Sequence, residues 1–161
     1  MNSELEDRFR DVVRDFTPAL WRLGRGYEHD AEKRRDLHQD ILVAVWRALP
    51  SFEGRSSLRT FVLRVAHNTA CGYVARAKRF GVEQLHTIET IDHSSPETHL
   101  DVERLAELVR SLAPLDRQLI LLHLEGLDPA EIADVTGLTK TNVTTKVHRI
   151  KALLAARFGM E

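Results

Sequence analysis

The sharpest local signal in the chain is the stretch from Asp128 to Val143, DPAEIADVTGLTKTNV. Asp128 is suited to cap a helix and Pro129 to occupy its first position, and Glu131, three residues on from Asp128, closes an acidic capping box. Ala133 is small where two helices must touch, Gly137 serves a tight turn, and Ile132, Leu138 and Val143 are placed to lock the second helix on the first. This is the spacing of a helix-turn-helix, with a second helix expected from Thr139 to about Ala156. With 8 Gly, 5 Pro and 6% aromatic residues, and with Leu, Ala, Arg and Glu prominent, the rest of the chain also favours helix over a turn-rich β architecture. The expected fold class is all-α.

Apolar periodicity lays out the other helices. Leu5, Phe9, Val12, Val13 and Phe16 form one stripe, with Pro18 expected to kink or restart that helix. A second helix is expected from about Ala31 to Ala48 on the stripe Leu37, Ile41, Leu42, Val45 and Ala48, stopped by Pro50. After the turn SFEGRSS, where Ser56 or Ser57 can cap, a third runs from Leu58 to about Arg79. Its inward positions read as Leu58, Phe61, Val62, Val65 and Thr69, leaving Arg59, Arg64, His67, Asn68, Arg76 and Lys78 outside. Periodicity then fades into a polar, acidic stretch containing Ser94, Ser95 and Pro96. The organisation expected is two small helical domains, 1–80 and 101–161, joined by a flexible linker over 81–100. In the second, Pro114 opens a helix burying Leu119, Ile120, Leu122 and Leu124 before a stop at Gly126.

The net charge of -1 hides a segregation of sign. Gly54 to Val82 holds six bases and no acid, and Thr139 to Met160 five bases and no acid, whereas Glu83 to Leu100 holds four acids and no base. One such run is commonly just a solvated face. Two, each ending a helical module, point to phosphate. A helix entering a DNA groove needs bases, short polar groups near its start and no carboxylate. Lys140, Thr141, Asn142, Thr144, Thr145, Lys146, His148 and Arg149 meet those needs, the threonines and Asn142 as base-edge readers and Lys146 and Arg149 mainly as phosphate contacts. In the earlier basic helix, Phe52, Phe61, Tyr73 and Phe80 are interleaved with Arg59, Arg64, Arg76 and Arg79, which suits unstacked bases and single strands, although Phe61 reads better as core.

Other chemistries lack their residues. There is no Gly-rich phosphate loop, HExxH, GxSxG or close Cys/His pair, so no enzyme and no cofactor are expected. Cys71 is the single cysteine, without an internal disulfide or CxxC partner, which fits a reducing, cytoplasmic compartment. His86, His93 and His99 stand near Glu89 and Asp92, but irregular spacing and the absence of a thiolate argue against a metal site. The apolar runs are too short to span a bilayer and the acidic start is unlike a signal peptide, so no membrane insertion is expected.

The segment DLHQDILVAVWRALPSFEGRSSLRTFVLRVAHNTACGYVARAKR, Asp36 to Arg79, closely resembles the promoter-melting domain of bacterial extracytoplasmic-function (ECF) sigma factors of the sigma-70 family, and Leu112 to Phe158 resembles their C-terminal helix-turn-helix domain. The resemblance implies a protein that binds core RNA polymerase, recognises −10 and −35 promoter elements and promotes melting, without covalent chemistry of its own. It implies docking on the β′ clamp helices by the motif Asp36, Leu37, Gln39 and Asp40, with Leu42 and Trp46 following, and a second contact at the β flap. By the same resemblance Phe52, Ser56, Arg59, Arg64, His67, Asn68, Tyr73, Arg76 and Arg79 serve the −10 element, Asn68 at the family's asparagine position, and Thr141 to Arg149 read the −35 element. An anti-sigma partner is expected as well. The alternative reading is a helix-turn-helix regulator or sigma-like adaptor that does not direct core polymerase.

Overall fold

The computed structural model describes the backbone of residues 2–79 and 97–159, and side-chain surroundings over 2–79 and 101–159. Among the described residues there are α-helices, one short 3-10 turn and no strand. Helix α1 spans Ser3–Arg25, α2 Ala31–Ala48, the 3-10 turn Leu49–Ser51, and α3 Leu58–Arg79. Helix α4 spans Glu97–Arg110, α5 Pro114–Leu124, α6 Pro129–Thr136 and α7 Lys140–Gly159. The segment expected as linker, with Phe80, His86 and His93, lies outside the described residues except at its end, where α4 begins at Glu97; the side chain of His99 is also outside them.

Helix α1 neither breaks nor restarts at Pro18. A mid-helix proline costs about 3 kcal/mol. Val12 before it and Ala19, Leu20 and Leu23 after it are all buried on one side, and each large aliphatic is worth roughly 1.5–3 kcal/mol. Burial therefore outweighs the lost hydrogen bond. Helix α2 starts on Asp30, whose Oδ1 accepts from the backbone N–H groups of Glu32 and Lys33, each at 3.0 Å. Its stripe Leu37, Ile41 and Val45 packs against α1 and against Val62, Leu63 and Ala66 of α3, all without solvent exposure. Between α2 and α3 the chain turns at Gly54, which takes φ 76°. Ser57 rather than Ser56 caps α3, its Oγ accepting from the Thr60 N–H at 3.1 Å.

The C-terminal helices enclose a second core of Leu119, Ile120, Leu122, Ile132, Val143 and Ile150. The expected capping box is present. Asp128 Oδ1 accepts from the Glu131 N–H at 2.9 Å, and Glu131 Oε1 accepts from the Asp128 N–H at 3.1 Å. Gly137 ends α6 at φ 79°, a left-handed conformation that costs other residues energy. Thr139 caps α7 through a 3.1 Å bond from the Asn142 N–H.

Three sequence expectations are corrected by packing. Leu124 is not buried but 55% exposed, and its neighbour Glu125 is turned inward instead. The buried face of α3 is Thr60, Val62, Leu63, Ala66, His67 and Ala70, while Leu58, Phe61, Val65 and Thr69 are only half-buried, because α5 and α6 as well as α1 and α2 cover this helix. Leu37 is wholly interior, so it supports the exposed part of its motif from below rather than presenting a surface of its own.

Candidate nucleic-acid interface

Helix α7 alternates cleanly between its two faces. Val143, Val147, Ile150 and Leu154 face the core, whereas Lys140, Thr141, Asn142, Thr144, Thr145, His148 and Arg149 are exposed and Lys146 half-exposed. The hydroxyls of Thr144 and Thr145 donate to the carbonyls of Lys140 and Thr141, each at 3.0 Å. Their oxygens remain free to accept from a base edge, while Asn142 keeps its whole side-chain amide available. One Arg149 nitrogen lies 3.6 Å from Asp116 Oδ1, and the arginine side chain itself is largely exposed.

Helix α3 presents a different surface. Arg59, Asn68, Arg76 and Arg79 are exposed. Phe52 and Phe61 meet at 5.0 Å between ring centroids and are both half-buried, so the loop's aromatic ring is backed by the helix. Ser56 is half-exposed, its Oγ donating to the Ser57 carbonyl at 3.3 Å. Two expected site residues are engaged elsewhere. Tyr73 donates its hydroxyl to Glu28 Oε2 at 2.8 Å, which anchors the ring to the turn between α1 and α2, and desolvation together with that carboxylate raises its pKa. His67, expected outside, is completely buried: its Nδ1 lies 2.8 Å from Tyr27 Oη, its Nε2 has no partner, and burial pushes its pKa down to about 3. In this conformation it has no access to DNA.

On α2, Asp36, Gln39 and Asp40 are exposed together and Leu42 is half-buried. Trp46, 38% exposed, meets Phe9 edge-on at 5.2 Å, and these rings with Glu6 and Arg10 line a shallow depression. Trp21 stacks on His38 at 4.2 Å nearby.

The two helical domains also touch. Arg22 Nε and Nη2 donate to the two carboxylate oxygens of Glu125 at 2.7 and 2.9 Å, and Arg59 Nη2 lies 4.0 Å from the same group. Thr60 Oγ1, 2.9 Å from Ser57 Oγ, donates to Glu131 Oε2 at 2.9 Å. Arg64 Nη2 donates to the Asp134 carbonyl at 3.0 Å, and its buried Nε has no partner. Further along the seam Arg110 donates to the Arg25 carbonyl at 2.6 Å, and the Arg117 guanidinium lies 5.4 Å from the Tyr27 ring centre.

Residues 12–80 match the family Sigma-70 region 2, and residues 102–154 match Sigma-70, region 4. The ECF RNA polymerase sigma-E factor of Escherichia coli (strain K12) is 30% identical over 131 residues, covering 72% of this chain and 69% of that protein. The chain belongs to the ECF sigma factors of the sigma-70 family. The RNA polymerase sigma factor YlaC of Bacillus subtilis (strain 168) is 29% identical to this sigma factor over 155 residues, 91% of this chain and 87% of that one. In fold, the sigma factor RpoE of Bartonella quintana, solved in complex with the anti-sigma factor NepR, superposes with a TM-score of 0.73 at 22% identity, over 92% of this chain and 94% of that one.

Membership makes the chain a promoter-recognising subunit of RNA polymerase. What the residues alone did not foretell in this sigma factor is the seam. Arg22, Thr60 and Glu125 stood out in no local pattern, because the contact joins positions 103 residues apart.

Proposed function

We propose that this sigma factor reads its two promoter elements with the two helices that carry bases and no acids. Helix α7 would enter the major groove of the −35 element, with Thr141, Asn142, Thr144, Thr145 and His148 at base edges and Lys140, Lys146 and Arg149 at phosphates. Helix α3 and the loop from Phe52 to Ser57 would take the melted −10 strand. Phe52 offers a backed ring for an extruded base, Asn68 an amide beside it, and Arg59, Arg64, Arg76 and Arg79 the phosphate contacts that offset a few kcal/mol of unstacking. Asp36, Gln39 and Asp40, with Leu42 and Trp46 beside them, would dock on the β′ clamp helices, and the C-terminal domain on the β flap. Such a protein performs no covalent chemistry, works in the cytoplasm and is open to control by an anti-sigma partner, as the Bartonella quintana relative is bound by one.

The observation that carries this reading is the exposed row of short polar and basic side chains on α7 with no carboxylate among them. Its test is run-off transcription from a genomic fragment library with core polymerase, with and without this protein. New, discrete products that map to a shared two-part sequence are expected. If core gains no promoter-specific product, the reading fails and a regulator that does not direct polymerase takes its place.

A further inference from the structure

Two threonines on the exposed face of α7 are narrowed chemically by their own backbone. The hydroxyls of Thr144 and Thr145 donate to the carbonyls of Lys140 and Thr141, each at 3.0 Å. A hydroxyl has a single hydrogen to give, so once that hydrogen is spent on the helix the oxygen can only accept. Both side chains are exposed. Thr145 stands two residues from each of the buried Val143 and Val147, and at about 100° per residue this puts it opposite the core. Thr144 lies one step round the same surface, next to Lys140 and His148. Asn142, also exposed, gives its backbone N–H to the Thr139 hydroxyl oxygen and keeps its side-chain amide for other partners. No carboxylate lies on α7 to compete for what these groups would bind.

In the major groove the only donors are the amino groups of adenine and cytosine, whereas guanine N7 and O6 and thymine O4 accept. An oxygen that can only accept bonds to the first kind of edge and sets lone pair against lone pair at the second. We propose that Thr144 and Thr145 make the −35-reading helix selective for amino-bearing bases, adenine or cytosine, in one strand at the pairs they face, and that Asn142 adds a bidentate contact to an adenine beside them. This rests on α7 being the helix that enters the −35 element. The rule separates amino from keto bases rather than A·T from G·C pairs. Adenine and cytosine hold their amino groups at corresponding places on the groove edge, where thymine and guanine of the same strand put a carbonyl oxygen. Turning either hydroxyl round to donate to a keto base gives up the bond already made to the helix, so the keto base gains nothing net from that contact.

The test uses holoenzyme assembled from core polymerase and the full chain, selecting from duplex promoters randomised across the −35 element. Thr145→Val is expected to flatten the preference at one base pair, and Thr144→Val at another. At each of these pairs the parent should favour adenine and cytosine of one strand over thymine and guanine by about fivefold to tenfold, and the matching variant should treat all the bases alike to within about twofold. Both substitutions keep a β-branched shape on an exposed face, and circular dichroism together with binding to core polymerase checks that the fold is kept. Base analogues that lack only the amino group, purine for adenine and the unsubstituted pyrimidinone for cytosine, isolate the contact. Such an analogue at the pair assigned to Thr145 should weaken the parent about fivefold to tenfold and leave Thr145→Val unchanged. The amino rule is overturned if neither valine variant changes the preference at any pair, if the affected pairs sort A·T from G·C, or if removing the amino group weakens parent and variant equally. Enrichment of no upstream sequence at all sinks the sigma reading and this inference with it, whereas an enriched element that breaks the amino rule sinks this inference alone.

Discussion

Acid should destabilise this protein along a slope to which His67 contributes a separable part. The ring is wholly buried between α1 and α3, beside Tyr27 and Cys71, with the Arg117 guanidinium close to Tyr27 and no carboxylate bonded to it. Its folded pKa is about 3, whereas an unfolded histidine titrates near 6.5. Below that value the unfolded chain takes up a proton that the folded chain refuses, so the contribution is fully present above pH 6.5 and is lost progressively as the pH falls toward 3. At 1.36 kcal/mol per unit, the loss is about 1.4 kcal/mol at pH 5.5 and about 2.7 kcal/mol at pH 4.5. The clean experiment compares the parent with His67→Gln by urea unfolding, followed by far-UV circular dichroism, from pH 7.5 to 4.5. Carboxylates and the remaining histidines titrate in both proteins and cancel in the difference. His67→Gln is expected to be the less stable protein at pH 7.5, with the gap closing by about 2.7 kcal/mol at pH 4.5. Two curves that stay parallel across this range would refute the reasoning, since His67 would then be hydrated or already charged in the folded chain.

Three further outcomes follow from the geometry. Asp128→Ala removes the Asp128 half of the capping box and should cost about 1 kcal/mol in urea unfolding, with the helix-turn-helix still formed. Replacing both Asp36 and Gln39 by Ala should weaken binding to core polymerase about tenfold, roughly 1.4 kcal/mol, in a fluorescence titration, with the melting temperature unchanged because both side chains are exposed. Once the −35 sequence is mapped, Asn142→Ala should lose about 1–3 kcal/mol of discrimination at one base pair, whereas Lys146→Ala should weaken all sequences alike and reduce the salt slope by about one.

Much of the fold could be read ahead of the structure because its signals are local. Asp128, Pro129, Glu131 and Gly137 delimit α6 by capping chemistry acting over a few residues, and the stripe Leu37, Ile41 and Val45 needs only one neighbouring layer to be interpreted. The reading failed where a side chain answers to something distant. Periodicity places Phe61 and Val65 on the inner face of α3 because it presumes one buried side; a helix covered by neighbours from both domains buries a wider arc, and that arc takes in His67. Leu124 is exposed and Glu125 turned inward, where it meets an arginine of α1 that lies 103 residues away in the chain. Tyr73, which the sequence groups with rings suited to unstacked bases, is held by Glu28, 45 residues away, and no local pattern announces that bond. The exposed face of α7 was legible since the buried residues Val143, Val147, Ile150 and Leu154 dictate by subtraction which positions look outward.

Glu131 divides its two oxygens between different tasks, Oε1 fastening the start of its own helix and Oε2 holding Thr60 across the seam. Parting the domains therefore frees one oxygen to water and leaves the other in place. One carboxylate thus ties the local order at the start of α6 to the contact between the domains, so Glu131→Gln should loosen both while Thr60→Val should loosen the second alone.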